Sequence, residues 1–370
     1  MLKKAVCGLA IGLYAVVVGC SWQPKASAGG DAATTHNAPA PTTGYVAAHA
    51  EGLPFKCVGM QIQRVDWLDK YKHSIDEIAA LGADAVKFVV DARQENGSSS
   101  RIYLDMRMTP TPEQLGGLIK YAKSKGLRVV LMPIVLLDKP RGNEWRGRIQ
   151  PESWDDWWDS YRDILTHFAW IAEGNGVDVL VVGSELISTE NQVEEWTKTI
   201  KKAREVFHGR LTYSSNWDHY KAVKVWEQLD FIGMNSYWTL GKENDASLDE
   251  IKETWRSIQN ELFAFQSKVK KPIFFMEVGW ASMANMVTEP WDYTKDEQEA
   301  PTDTAIQKRL YEGFFQSWYG RPELGGFSIW EWTPEPDQND PQSVKETERG
   351  YTPRGKPAED VLKQWFAKKW

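Results

Sequence analysis

Eight short apolar runs recur along the chain from residue 55 onward, at 55–62, 85–90, 127–137, 177–183, 210–215, 231–235, 273–276 and 326–330. Their apolar character is continuous rather than alternating, so both faces of each run must be covered. That is the condition of a strand in a parallel sheet flanked by helices. Helical stretches lie between the runs: 74–81 stopped by Gly82, 112–125 opened by Pro112 and closed by Gly126, then 153–173, 192–207 and a last one at 357–366. Proline near a helix start and glycine just past its end is the expected asymmetry. Eight such βα units over about three hundred residues close most economically as a (β/α)8 TIM barrel, an α/β fold with a single catalytic domain. An open doubly wound sheet is the competing fold, and it is disfavoured because no glycine-rich phosphate turn follows the first strand.

In a barrel of this kind the chemistry gathers at the C-terminal ends of the strands. Polar and aromatic residues collect at those positions: Lys87 and Asp91, Glu185, Asn216 and Trp217, Asn235 and Tyr237, Glu277 and Trp280, Trp330 and Trp332. Two of them are costly. Glu277 ends the apolar run of KPIFFMEVGW (271–280), and Glu185 ends that of VDVLVVGSEL (177–186). Burying a carboxylate is penalised by several kcal/mol unless it is paired or used.

Strands four and seven face one another across an eight-stranded mouth. Two glutamates there suit glycosidic bond cleavage with retention, in which one carboxyl protonates the leaving oxygen and a second, roughly 5 to 5.5 Å away, attacks the anomeric carbon. Tyr237, beside strand seven, is placed to donate to Glu277, which makes Glu277 the nucleophile and Glu185 the acid/base. The competing reading of each glutamate is structural, as a helix cap or a partner to a nearby base; the run Leu186-Ile187-Ser188 makes a cap reasonable for Glu185. Glu331, between Trp330 and Trp332, is a rival carboxylate, read as structural because strand alternation sets it opposite the two tryptophans.

Composition narrows the partner. Nineteen tryptophans are more than a core of this size needs, and indole faces stack on sugar rings, although for any single tryptophan packing between helices is the ordinary role. The formal charge of −7, or −9 without Lys3 and Lys4, argues against nucleic acid or another polyanion. The histidines 36, 49, 73, 167, 208 and 219 form no HExxH and no close pair, so neither a catalytic metal nor any cofactor is expected. Gly326-Phe327-Ser328-Ile329-Trp330 misses the last glycine of a nucleophile elbow, and no P-loop or dinucleotide fingerprint is present.

The N-terminus reads as an export signal. Lys3 and Lys4 precede an apolar run at 5–18, which closes on Val17-Val18-Gly19-Cys20. This run is too short for a membrane span and suits a signal peptide. Its end resembles a bacterial lipobox, which implies a lipoprotein signal over 1–20 with Cys20 lipidated; an ordinary secretory signal with an incidental cysteine is the alternative. Residues 21–50, rich in Ala, Pro, Thr and Gly, read as a flexible tether, and 51–370 as the catalytic domain. Cys57 is then left without a disulfide partner. The expected location is the bacterial cell envelope, lipid-anchored to membrane at the outer membrane, cell surface or periplasm. A monomer is expected, since nothing in the chain calls for a second subunit.

Several motifs carry a family resemblance: VVGSEL (181–186), LTYSSNW (211–217), LDFIGMNSYW (229–238), KPIFFMEVGW, GFSIWEW (326–332) with PRGKPAE (353–359), and the loop NEWRGRI (143–149). Together they resemble the clan A glycoside hydrolases, and within that clan the pattern is most similar to glycoside hydrolase family 113, the β-mannanases. The resemblance implies retaining hydrolysis of β-1,4-mannosidic bonds in a polysaccharide or oligosaccharide, with Glu185 as acid/base and Glu277 as nucleophile. It further implies Trp330 as the platform beneath the sugar and Trp280, Trp217 and Trp145 as walls of the cleft. One position departs: most clan A enzymes have Asn before the acid/base, to bond the sugar 2-hydroxyl, and here it is Ser184. The alternatives are another clan A hydrolase acting on β-glucan, galactan or an exopolysaccharide, and a glycan-binding surface lipoprotein without activity. Endo against exo action turns on whether loops such as 96–109 and 283–302 close one end of the cleft.

Overall fold

A computed structural model of the chain describes residues 52–370. The leader, Cys20 and the tether lie outside the described residues. The chain runs β1 (Phe55–Ile62), α1 (Leu68–Ala80), β2 (Ala85–Gln94), β3 (Ile102–Tyr103), α2 (Pro112–Ser124), β4 (Arg128–Leu137), α3 (Trp154–Asn175), β5 (Val179–Ser184), α4 (Val193–Val206), β6 (Arg210–Ser214), β7 (Ile232–Asn235), α5 (Leu248–Val269), β8 (Ile273–Val278), α6 (Thr304–Trp318), β9 (Leu324–Ile329), α7 (Pro341–Arg349) and α8 (Pro357–Phe366).

Eight strands pair in parallel in the order β6-β5-β4-β2-β1-β9-β8-β7. The two ends of that path meet at a parallel bridge between Ser215 and Met234, which closes a (β/α)8 TIM barrel. The ninth strand, β3, was not expected; it pairs antiparallel with the far end of β2, at Arg93 and Gln94.

Two apolar layers follow from the period-two alternation of each strand. Phe55, Cys57, Val89, Val130, Met132, Phe231, Phe274 and Met276 fill the bore. The opposite faces pack with the helices in a larger layer that takes up Trp157, Trp158, Trp196, Trp255 and Trp318. Most of these tryptophans meet edge to face, as Trp157 and Trp158 do at 5.0 Å.

The helix starts are written locally. Thr111 and Gln114 form a capping box at α2, and Ser247 and Glu250 form another at α5. Gly176 takes the left-handed conformation that ends α3.

Strand β2 runs four residues beyond the expected end at Val90, because its ladder with β4 continues as far as Gln94 opposite Leu137, and the charges of Asp91 and Arg93, buried there, lie against one another at 2.5 Å. The polar pair interrupts the apolar run without ending the strand. Helix α7 was not expected: PQSVKETER has a polar face nearly all round and buries only Arg349. It exists through its tertiary contacts rather than its own pattern.

Candidate active site

Glu277 lies within β8, one residue short of its end, opposite Asn235 of β7 at an irregular register step. Its backbone carbonyl accepts from both the amide and the hydroxyl of Ser236, at 2.9 and 2.8 Å. The side chain, 6% exposed, turns into the barrel mouth, where Oε2 accepts from the Tyr237 hydroxyl at 2.7 Å.

Glu185 follows the last residue of β5. Its backbone sits at φ 54°, in the left-handed region that costs a residue with a Cβ about 1–3 kcal/mol. Its neighbours hold it there: the Glu185 amide donates to the Ser214 carbonyl, and the Leu186 amide to the Tyr213 hydroxyl, both at 2.8 Å. Asn235 Nδ2 donates to Glu185 Oε1 at 2.8 Å, and the Ser214 hydroxyl fixes that amide by donating to its Oδ1 at 2.9 Å. The second oxygen, Oε2, is ion-paired with Arg146 of the loop between β4 and α3.

A third carboxylate joins them. β9 ends at Ile329, so strand alternation does not reach Glu331, and this half-buried side chain is turned toward Gln61 of β1, whose amide donates to both its oxygens. Burial pushes its carboxyl up to about 7, with the Glu277 charge adding to the shift while Gln61 and Lys87 oppose it. Glu331 therefore belongs to the mouth, where the sequence reading had set it aside. Its neighbours diverge. Trp330 lies against the bore residues, with the Lys87 ammonium 4.8 Å from its ring centre, whereas Trp332 turns outward and donates to Glu77 of α1 at 2.9 Å.

Gly279 makes this crowding possible, because a Cβ there would collide with the Trp330 carbonyl. Burial pushes the Glu277 carboxyl up, and the Glu185 charge adds to it; Lys87, Tyr237 and Arg146 pull it back. Burial and the Glu277 charge likewise hold the Tyr237 hydroxyl well above its ordinary value, so it stays a donor. Buried carboxylates whose titration is shifted by burial and by fixed charges beside them, gathered at the end of a barrel, mark a candidate functional site.

A model of Glycoside Hydrolase Family 113 matches residues 57–356. The chain belongs to that family. This family 113 hydrolase is similar to a solved β-1,4-mannanase of the family in complex form, at 25% identity and a TM-score of 0.74, over 86% of this chain and 100% of that one. It is similar also to the family 113 β-mannanase AaManA from Alicyclobacillus acidocaldarius in complex with ManMIm, at 26% identity and a TM-score of 0.73, over 85% and 98% of the two chains. A glycoside hydrolase family 5 mannosidase from Rhizomucor miehei shares the fold at 13% identity and a TM-score of 0.59, over 87% of this chain and 96% of that one. No curated protein matched.

The hydrolase brings Glu185, Glu277, Tyr237, Asn235, Lys87 and Trp330 together at one mouth. Ser184 is buried beside them, and among the described residues its hydroxyl has no hydrogen-bond partner, nor has the buried Oδ1 of the half-buried Asn216. Trp217 is half-buried, 5.9 Å from Trp238, and stacks on Trp291 at 6.1 Å and 17°. Trp145 is half-buried in the loop that carries Arg146, against Gly147.

Two expected cleft residues are elsewhere. Trp280 is fully buried edge-on to Tyr311 of α6, and Trp332 is buried against α1. Both sit between barrel and helices, because the chain turns away from the mouth after Gly279 and after Glu331. Sequence reasoning missed Arg146 and Trp291. The quoted motif NEWRGRI contained the first, and the tryptophan in the polar loop 283–302 was the only signal for the second.

Proposed function

We propose that this family 113 hydrolase is a retaining endo-β-mannanase, cleaving β-1,4-mannosidic bonds by double displacement. The observation that carries the reading is the pair of buried glutamates at the ends of β5 and β8, each oriented by its own neutral donor, Asn235 for Glu185 and Tyr237 for Glu277. The mannan substrate rests on the family 113 mannanases to which the chain is similar.

In the first step Glu277 attacks the anomeric carbon while Glu185 gives its proton to the departing glycosidic oxygen. The substrate oxygen takes the place that Arg146 holds at Glu185 Oε2. Glu277 then carries the sugar as an ester, and Glu185, now a carboxylate, takes a proton from the water that releases it. Tyr237 supports Glu277 as the leaving carboxylate of that second step.

Trp330 supplies an apolar platform, and Trp217 and Trp145 flank the cleft. The Ser184 hydroxyl, buried and without a hydrogen-bond partner among the described residues, is the candidate donor to the sugar 2-hydroxyl in place of asparagine. Ser184→Asn that left the preference between manno- and gluco-substrates unchanged would remove that role. The envelope lipoprotein reading through Cys20, and the monomeric state, belong to the same proposal.

The test is reducing-sugar release from soluble β-1,4-mannan by the parent, Glu185→Ala and Glu277→Ala. Activity in the parent and a loss of about a thousandfold or more in both variants is expected. Release from β-glucan but not mannan would overturn the substrate. A variant with near-parent activity would overturn the pairing and turn attention to Glu331.

A further inference from the structure

Lys87 is a charged side chain in an apolar place. It stands on β2 between the bore residues Ala85 and Val89 and is fully buried. Room for its stem comes from Gly59 of β1, where a Cβ would lie 3.2 Å from Lys87 Cε. Its hydrogen bond goes to the carbonyl of Met276, the residue before Glu277, at 2.5 Å, and its ammonium lies over the Trp330 ring. Among the described residues no carboxylate pairs with it directly.

A buried ammonium without an ion pair is costly, and a methionine or leucine would fill this space at less expense. Burial accordingly draws the Lys87 ammonium below its ordinary value, while the charges of Glu277, Cys57, Glu331 and Glu185 oppose that shift. Three carboxylates therefore share the mouth with two cations, and the guanidinium of Arg146 is taken by Glu185. The field of Lys87 remains for Glu277. Because the lysine has no exposed surface, it cannot reach a substrate; what it does, it does through Glu277 and the ring of Trp330.

We propose that Lys87 is a positioning residue for Glu277: its ammonium, walled in beside the strand that carries the nucleophile and anchored on the preceding carbonyl, is the fixed positive charge that keeps the attacking carboxylate ionised. The inference rests on Glu277 as nucleophile and adds the group that lets it serve while buried. The charged and titratable groups facing Glu277 are Lys87 from β2, Arg146 from the β4–α3 loop, Glu185 after β5, Tyr237 after β7, Glu331 after β9 and Tyr351 beyond α7. Of the two cations, Lys87 opposes the upward shift of Glu277 more strongly. Removing it moves the Glu277 titration to higher pH.

The experiment compares the parent with Lys87→Met and with Lys87→Gln, which keeps a donor for the Met276 carbonyl without the charge. Glutamate labelled at the side-chain carboxyl carbon reports the Glu277 titration by NMR, its resonance assigned by loss in Glu277→Gln. The expected result is a Glu277 midpoint at higher pH in both variants. On mannan, the acid limb of kcat/KM should move the same way, with activity on that limb down roughly tenfold and KM near the parent value.

An unmoved midpoint in a folded variant overturns the proposal. So does failure of both variants to fold, which would make Lys87 a structural residue of the barrel. The NMR arm needs no substrate, so a parent silent on mannan would sink the mannanase reading while the midpoint still answered for Lys87.

Discussion

The amide of Gln61 donates to both oxygens of Glu331, at 3.0 and 2.9 Å, and yet burial lifts that carboxyl from 4.5 to about 7. The shift is also a statement about stability. A folded-state value above the unfolded one means that the folded chain holds the proton more tightly. The favourable contribution is fully present below about pH 4.5 and is lost as pH rises through about 7. Glu331→Gln, which keeps an acceptor for Gln61 and carries no charge, should therefore melt higher than the parent at pH 8 and gain nothing at pH 4. Thermal melts at the two pH values check this, and an equal change at both would deny it. The same residue marks a limit of reading by alternation. The pattern Trp-Glu-Trp implies opposite faces only while the strand continues, and β9 has already ended at Ile329.

The loop between β8 and α6 shows what one element does for another. Its ends are tied by an antiparallel bridge between Met283 and Thr302, and it presents Trp291 to Trp217. Arg349, the last residue of α7, pins the loop from beneath by donating to the carbonyls of Lys295 and Ala300, at 3.0 and 2.9 Å, and by pairing with Glu297. Hydrogen bonds from a buried charged group contribute about 1.5–3 kcal/mol. Arg349→Ala should lower the melting temperature by a few degrees and speed amide exchange across 295–302. It should raise KM for long oligosaccharides through Trp291 while leaving kcat close to the parent. Unchanged exchange in that segment would separate α7 from the loop.

Over the whole molecule, stability follows the ladder. β2 and β4 pair through ten consecutive residues, whereas β6 and β7 meet at one bridge. Opening should begin where the fewest paired residues must separate. Hydrogen exchange is expected to be slowest in β2 and β4 and fastest, among the barrel strands, along the β6–β7 seam; the reverse order would show that helix packing outweighs the strand ladder.

The eight apolar runs by themselves determined the barrel, because a continuously apolar strand has no stable place except between two covered faces. They also determined which strand ends would bear carboxylates. The contact between Tyr237 and Glu277 was legible too, since the neighbouring strands β7 and β8 bring their ends together whatever the details of packing. Tertiary structure decided the rest. The burial of Trp280 and Trp332, the placing of Arg146 on Glu185, and the meeting of Trp217 with Trp291 all depend on where the chain turns after a strand. No local period encodes those turns. The environment of Lys87 was decided in the same way: the sequence shows one lysine in an apolar run, and only the closed barrel, with Gly59 on one side and the Met276 carbonyl on the other, makes it a buried charge beside the strand that carries Glu277.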